Sequence, residues 1–197
     1  MGTSVTLAML AVFSGLSMNL ILQFGLALKQ VVFESSTGFV GRKQFLTGMG
    51  VHFTAVVLLW LFFSFAGSVM FMGFFEYMLI FPASALAYTI LEYLTARFIF
   101  QGKIPYNALS GGALIGVALF ITLNIADGLL DAIVLSLGFS CSTALVFVIV
   151  GEIRRRSEME AVPLWLRGGP LALIAMGLLS LIFSSGALML FGVLGNG

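Results

Sequence analysis

The sequence predicts an all-α integral membrane protein with six transmembrane helices, and three observations lead to that prediction. Of its 197 residues, 60% are hydrophobic and only 9% are charged, and the mean hydropathy is +1.15. Soluble domains carry about 25% charged residues, so this composition excludes a water-soluble fold. Six apolar stretches reach the roughly 20 residues that a helix needs to cross the hydrocarbon layer. Finally, the nine basic residues all fall at alternate connections between these stretches, which places them on one side of the membrane.

The predicted spans follow one another with short connections. They cover residues 4–28, 45–66, 77–100, 106–126, 131–153 and 169–191. Residues 67–76 are apolar but interrupted by glycine, and we expect them to form an interfacial connector between the second and third spans. The chain is predicted to be a single membrane domain over 1–197, with one three-helix half at 1–102 and the other at 103–197.

The basic residues orient the predicted spans. All nine lie in the first, third and fifth connections or, as Arg97 does, in the last residues of the span beside them, whereas the opposite side carries only acidic charges. Because an excess of lysine and arginine marks the cytoplasmic face, both termini are expected outside the cytoplasm, with the chain in the inner (plasma) membrane. The nine are Lys29, Arg42, Lys43, Arg97, Lys103, Arg154, Arg155, Arg156 and Arg167.

An odd number of spans in each half makes the two halves face opposite ways. If the halves are homologous, they form a 3+3 inverted repeat, a fold class in which broken helices often meet at the midplane. Small and polar residues around Asn19 in the first span, and at 110–112 and Asn124 in the fourth, are candidates for such breaks at equivalent positions. The alternative is close helix packing through small residues, with Gly112 and Gly116 forming a GxxxG face. The sequence leaves both interpretations open.

Glu92 is the acidic residue that lies well inside a predicted span, and helical spacing places Tyr88 on the same face. An ionisable residue in a membrane usually marks a pathway or an internal pair. Glu92 and Tyr88 are therefore predicted to belong either to an ion path or to a subunit contact, and Asn19 and Asn124 are candidates for the same path. His52, the one histidine, could titrate near neutrality, but it is predicted to be a hydrogen-bonded packing residue.

The second half of the chain resembles a known family. The most similar segments are 138–140 (GFS), 153–154 (IR), 162–163 (VP) and 167–183 (RGGPLALIAMGLLSLIF). Weaker similarities lie at Asn19, at the Gly-Met-Gly of 48–50, at Glu92 and at Tyr106. Together these segments look like the RnfA and NqrE subunits of Rnf complexes and of sodium-pumping NADH:quinone oxidoreductases.

The resemblance implies a partner and a cofactor. Subunits of the RnfA type pair with a homologous, oppositely oriented RnfE- or NqrD-like subunit, and each gives two cysteines to a shared [2Fe–2S] cluster. In this chain the corresponding positions fall at or near Lys29 and at Phe120, and its one cysteine, Cys141, matches neither. Since such a cluster needs four thiolates, we expect this chain to bind no cofactor itself, with the flavins in partner subunits.

The resemblance therefore implies a membrane subunit of an Rnf/Nqr-like ion-translocating electron transport complex. It would scaffold the transmembrane path and would not be catalytic alone. The missing cysteines leave two alternatives on the same scaffold: a redox-free transporter or channel, and a purely structural assembly subunit. The sequence contains no glycine-rich phosphate loop, Ser/His/Asp set or HExxH motif. It also contains no basic tract with interleaved aromatic residues, so the expected partners are protein subunits and lipid rather than nucleic acid.

Overall fold

Helices account for all the regular structure that the computed structural model describes, which covers residues 3–25, 42–69, 74–99, 108–159, 163, 166 and 169–195. Apolar runs of more than 20 residues favour helices here, because a helix satisfies every backbone hydrogen bond within its own segment. The elements are α1 (Thr3–Val12), a π-helical turn (Phe13–Ser17), α2 (Leu20–Phe24), α3 (Arg42–Val69), α4 (Phe74–Ile99), α5 (Ala108–Ile125), α6 (Leu129–Met159) and α7 (Gly169–Gly195).

Four of the described helices are long and apolar enough to cross a membrane, and the chain is a membrane protein. Their apolar spans are Thr47–Ala66, Tyr77–Phe98, Leu129–Ile153 and Gly169–Val193. Two shorter apolar helices, Thr6–Ser17 and Gly111–Ile125, correspond to the first and fourth predicted spans. The outer faces of α3, α4 and α7 expose large apolar side chains such as Phe65, Phe98 and Met189, as lipid-facing helices do.

The helix bounds correct one prediction. Residues 67–69 continue α3 and residues 74–76 begin α4, so most of the stretch 67–76 is helical rather than a separate interfacial connector. The fifth predicted span is confirmed, since its apolar stretch also ends at Ile153, and helix α6 continues beyond it to Met159. Pro82 lies within α4, where its missing N–H leaves one backbone carbonyl without its intrahelical partner.

The centre of the fold is α6. It packs against α1, the π-helical turn, α2, α3, α5 and α7, whereas α4 packs against α3 and α5. Phe139, Leu135, Val146 and Val150 of α6 are fully buried in the core that these helices share. As a result, any feature halfway along α6 lies at the middle of the bundle.

The fourth predicted span does not break at its small residues. Helix α5 is continuous from Ala108 to Ile125, and the glycines instead bring α4 close. A side chain at Gly112 would meet the backbone of Ala85, and one at Gly116 would meet Phe81 and Ser84. Small residues that permit such close approach are typical of membrane helix interfaces. The packing interpretation of this segment is therefore confirmed, and the alternative of a break in span four is wrong for residues 108–125.

Candidate functional site at the helix break

The first predicted span is interrupted at Asn19, which is fully buried. Its side-chain oxygen Oδ1 accepts hydrogen bonds from the backbone N–H groups of Ile21 and Leu22, both at 3.1 Å. Asparagine is a favoured residue at this position, because the first N–H groups of a helix have no intrahelical acceptor. Asn19 thus ends one helical segment and caps the next within the bundle.

The polypeptide on either side of Asn19 adapts to the break. The preceding π-helical turn closes with a bond from the Met18 N–H to the Phe13 carbonyl oxygen at 2.8 Å. After the break, α2 lasts five residues and ends at Gly25, whose φ of 64° is a left-handed conformation that favours glycine. The Gln23 side-chain amide donates to the Ser17 carbonyl oxygen at 3.3 Å and so bridges the interruption. Hydrogen bonds therefore stabilise the polypeptide both before and after the break.

Helix α6 holds the break in place through a close backbone contact and one hydrogen bond. A side chain at Gly138 would collide with Ser14 and would approach the Gly15 backbone nitrogen, so only glycine fits without a shift. One turn further along α6, the Ser142 carbonyl oxygen accepts a hydrogen bond from Asn19 Nδ2 at 3.2 Å. Both contacts lie close to the middle of the Leu129–Ile153 span.

The same part of α6 carries three polar side chains, Ser140, Ser142 and Thr143. Together with Asn19 and His52, which bond to this part of α6, they form what we call the polar belt. His52 of α3 contacts Ser140 through Nδ1 and Oγ, 3.2 Å apart. The Leu114 backbone of α5 lies beside the imidazole, so three helices meet at this ring. The prediction that His52 is a hydrogen-bonded packing residue is confirmed for Nδ1, but Nε2 is buried and makes no hydrogen bond.

Glu92 and Tyr88 form a second polar feature, on α4. A hydrogen bond joins their side chains, as the helical spacing predicted, and Glu92 Oε2 is buried without a hydrogen-bond partner. The Tyr88 ring covers Gly111 of α5, and Ser84 donates to the Gly112 carbonyl oxygen at 3.0 Å. This feature therefore belongs to the α4–α5 interface, and α4 does not share the α6 contact that holds Asn19.

The remaining predicted site residues lie elsewhere. Phe120 is exposed on α5, with its ring centroid 5.7 Å from that of Tyr77 on α4. Asn124 is also exposed, and its side-chain amide donates to the Phe120 carbonyl oxygen at 2.7 Å. Lys29 lies outside the described residues. The predicted site residues thus occupy separate locations, and no described contact joins Asn124 to Asn19 or to Glu92.

The residues of this chain do not fit the iron–sulfur cluster that the resemblance implies. Cys141, the one cysteine, is exposed on α6, and the Phe120 hydrocarbon ring cannot ligate a metal. Within the ranges that the structure describes, no three histidine, cysteine or acidic side chains come together to form a metal site. Four thiolates are needed for a [2Fe–2S] cluster, so no step through such a cluster follows from this chain.

The polar belt was only partly predictable. Asn19 was singled out by its place among small residues in an apolar span, and it proves to be the cap of the break. The run Gly-Phe-Ser-Cys-Ser-Thr at 138–143 contains part of the family similarity and the one cysteine of the chain. The available signal was four consecutive polar or small side chains at the centre of a 25-residue apolar span. That pattern predicts buried hydroxyl groups but not which helices face them.

Comparison with known proteins gives a partial match. The chain is 37% identical over 71 residues to the RnfA protein of Histophilus somni (strain 2336), which is named as a subunit of the ion-translocating oxidoreductase complex. It is 35% identical over 71 residues to the protein of the same name from Pectobacterium atrosepticum. In both cases the match spans 36% of this chain and 36% of the relative. No family model matches the chain. The name of these relatives states that they are subunits of a complex, and the RnfA-like resemblance is confirmed to that extent.

Proposed function

We propose that this chain is a membrane subunit of an ion-translocating oxidoreductase complex. The observation that carries the proposal is the 35–37% identity to RnfA proteins, which are named as subunits of such complexes, over 71 residues. The fold is compatible with it, because a helix is broken inside the apolar bundle and the break is capped by the buried Asn19. Irregular backbone at membrane depth is tolerated where it is buried in protein or lines a cavity, and transporters use such helices to form ion sites.

The proposed topology has six spans, an inverted 3+3 repeat and both termini outside the cytoplasm. Described helix ends support it: α3 begins at Arg42, Arg97 lies in the last turn of α4, and Arg155 and Arg156 lie near the end of α6. If each long helix crosses the bilayer once, these ends share one face. An excess of basic residues marks that face as cytoplasmic.

The proposed role is to scaffold the ion and electron path together with a homologous RnfE- or NqrD-like subunit, with flavins in other subunits. Because this chain supplies one cysteine, it contributes packed helices and polar side chains along the path rather than iron ligands. Glu92 is proposed to belong to the ion path or to the subunit contact, since its Oε2 atom is buried and unpaired.

A tagged chain tests this proposal directly. We expect the full chain, extracted in mild detergent, to co-purify with subunits whose visible spectrum shows flavin. Deleting the chain should abolish ion uptake driven by electron transfer in sealed membrane vesicles. A chain that purifies without any redox-active partner, and whose deletion leaves that ion uptake unchanged, would contradict the proposal. Reporter fusions after residue 197 and between residues 159 and 169 test the topology, and should be active on opposite sides of the membrane.

A second candidate function is a redox-free transporter or channel on the same scaffold. The observation that favours it is the single cysteine, which removes this chain from cluster binding. The two candidates differ in one measurement. A redox-free transporter would move ions through liposomes that contain this chain and its homologous partner alone, without any electron donor, whereas the proposed subunit would not.

A further inference from the structure

Three buried polar atoms of the polar belt have no hydrogen-bond partner: His52 Nε2, Ser142 Oγ and Thr143 Oγ1. Their position makes this unusual. Ser142 and Thr143 lie near the middle of the Leu129–Ile153 span, far from the bulk water at either end of the helix. Buried polar groups in proteins are almost always paired, either with protein atoms or with ordered water.

The two hydroxyl groups differ from others in the same bundle. Thr89, Thr122 and Ser136 each donate to the carbonyl oxygen four residues earlier in their own helix, at 2.6–2.7 Å. This local bond is the usual way for a hydroxyl group to be satisfied within a membrane helix. Because Ser142 and Thr143 make no such bond, their hydroxyl groups are available to another partner.

The histidine sets the chemistry of that partner. If Ser140 donates to Nδ1, then Nε2 carries the ring hydrogen and needs an acceptor. If Nδ1 carries the hydrogen and donates to Ser140, then Nε2 presents a lone pair and needs a donor. Water satisfies either tautomer, because it both donates and accepts. A buried water usually makes about three hydrogen bonds. The Leu114 backbone lies beside the imidazole. The unpaired hydroxyl groups of Ser142 and Thr143 lie within one turn of Ser140, which contacts the ring.

We propose that His52 is a proton-exchange site at the centre of the bundle, where Nε2 binds a water molecule and passes protons to and from it. Nε2 takes a proton from a hydronium ion, which leaves water and an imidazolium whose Nδ1–H donates to Ser140 Oγ. Release of one proton to the next water restores the neutral ring, and no electron moves. The bound water is a property of this chain, whereas the relay role rests on the proposed function.

The surrounding charges favour transfer of the proton over storage. On α3 and α6 every charged residue lies at least nine residues from His52 or Ser140, which is about 13 Å at helical rise. Helix α5 carries no charged residue, and Glu76 and Arg97 lie near the two ends of α4. Glu92 is the exception, and it lies on α4 bonded to Tyr88. The charged residues of α3 to α6, with Cys141, are Arg42, Lys43, Glu76, Glu92, Arg97, Asp131, Cys141, Glu152, Arg154, Arg155, Arg156 and Glu158.

Nuclear magnetic resonance can test the water contact. Since His52 is the one histidine, uniform ¹⁵N labelling of the full chain in lipid bilayers gives imidazole nitrogen signals from this ring alone, together with the backbone amide signals that serve as controls. We expect magnetisation to pass from water to Nε2 at a mixing time at which the fully buried Val56 amide receives none. The Ser140→Ala variant should shift the Nδ1 signal and keep the water transfer. Transfer to Nε2 no greater than to Val56 would overturn the proposal.

Two substitutions test the relay role in the assembled complex. In His52→Asn the amide occupies the place of Nδ1, so the Ser140 contact is kept while Nε2 is removed. In His52→Gln the amide occupies the place of Nε2 but cannot take up a proton. We expect both variants to assemble. During turnover in proteoliposomes, their rate of proton movement should be at least tenfold lower than that of the parent complex. Ser136→Ala, whose buried hydroxyl group donates to the Ala132 carbonyl oxygen within α6 and lies outside the polar belt, is the control and should keep the parental rate.

The outcomes of that assay separate the two proposals. Proton movement at the parental level in His52→Asn overturns the relay role, and so does a parent complex that moves no protons. Failure to find any redox complex contradicts the proposed function instead. In that case the bilayer measurement on the chain alone still decides whether Nε2 binds water.

Discussion

Replacing Asn19 with alanine should destabilise the bundle more than any other single loss of an amide side chain in the described residues. The substitution removes the Oδ1 acceptor for two backbone N–H groups and the Nδ2 bond to the Ser142 carbonyl oxygen. Loss of a helix cap costs about 0.5–2 kcal/mol. A side-chain hydrogen bond between membrane helices contributes about 0.6 kcal/mol on average. Since the site is fully buried, we expect a loss of about 2 kcal/mol in the free energy of unfolding.

The chain supplies a matched control for this measurement. Asn124→Ala deletes the same side chain from an exposed position, where it makes one bond to the carbonyl oxygen of its own helix. That loss should stay within about 0.5 kcal/mol, as for most surface substitutions. Reversible unfolding of the full chain in bicelles by added SDS, followed by circular dichroism, measures both variants. Equal stability of Asn19→Ala and Asn124→Ala would refute the capping role of Asn19.

Two further predictions use the same assay or the assembled complex. Gly138→Ala should destabilise the chain by about 1–3 kcal/mol, because the added carbon collides with Ser14; Gly177→Ala, which meets nothing within 4 Å, should be neutral or gain up to about 1 kcal/mol. If Gly138→Ala unfolded with the same free energy as the parent chain, the contact between Gly138 and Ser14 would be looser than described. Glu92→Gln should leave assembly intact, since an amide oxygen can still accept from Tyr88, and should reduce ion movement in vesicles at least tenfold. Unchanged ion movement in an intact complex would reject the pathway role of Glu92.

Much of the fold follows from hydrophobic length alone. A helix that crosses a bilayer needs about 20 apolar residues, and α3, α4, α6 and α7 lie where such runs occur. Residues at the helix ends were less predictable. Gly67 and Glu76 resemble connector residues, yet both lie within long helices. Apolar sequence with scattered glycine does not distinguish a helix end from an interfacial loop.

The two candidate breaks show what decides between close packing and interruption. Asn19 can accept from the N–H groups that a break exposes, so the sequence provides both the break and its cap. In α5 the equivalent residues are glycines, which have no side chain for capping, and Ala85 and the Tyr88 ring approach them instead. Small residues permit either outcome, and only the partner helix selects one. The orphan atom of His52 was unpredictable for the same reason, since its neighbours come from α5 and α6.

The length of α6 has a mechanical consequence. Its 31 residues extend about 46 Å, more than the roughly 30 Å of hydrocarbon, and the helix continues about 9 Å past the end of its apolar span at Ile153. Arg156 lies on the protruding end, and it forms an exposed ion pair with Glu152 at the end of the apolar span. No interruption separates that pair from Ser142, about 21 Å away, so the intervening helix moves as a rod. If a partner protein held the arginines and tilted the helix by only about 5°, the Ser142 carbonyl oxygen, which accepts from the capping Asn19, would move by about 2 Å.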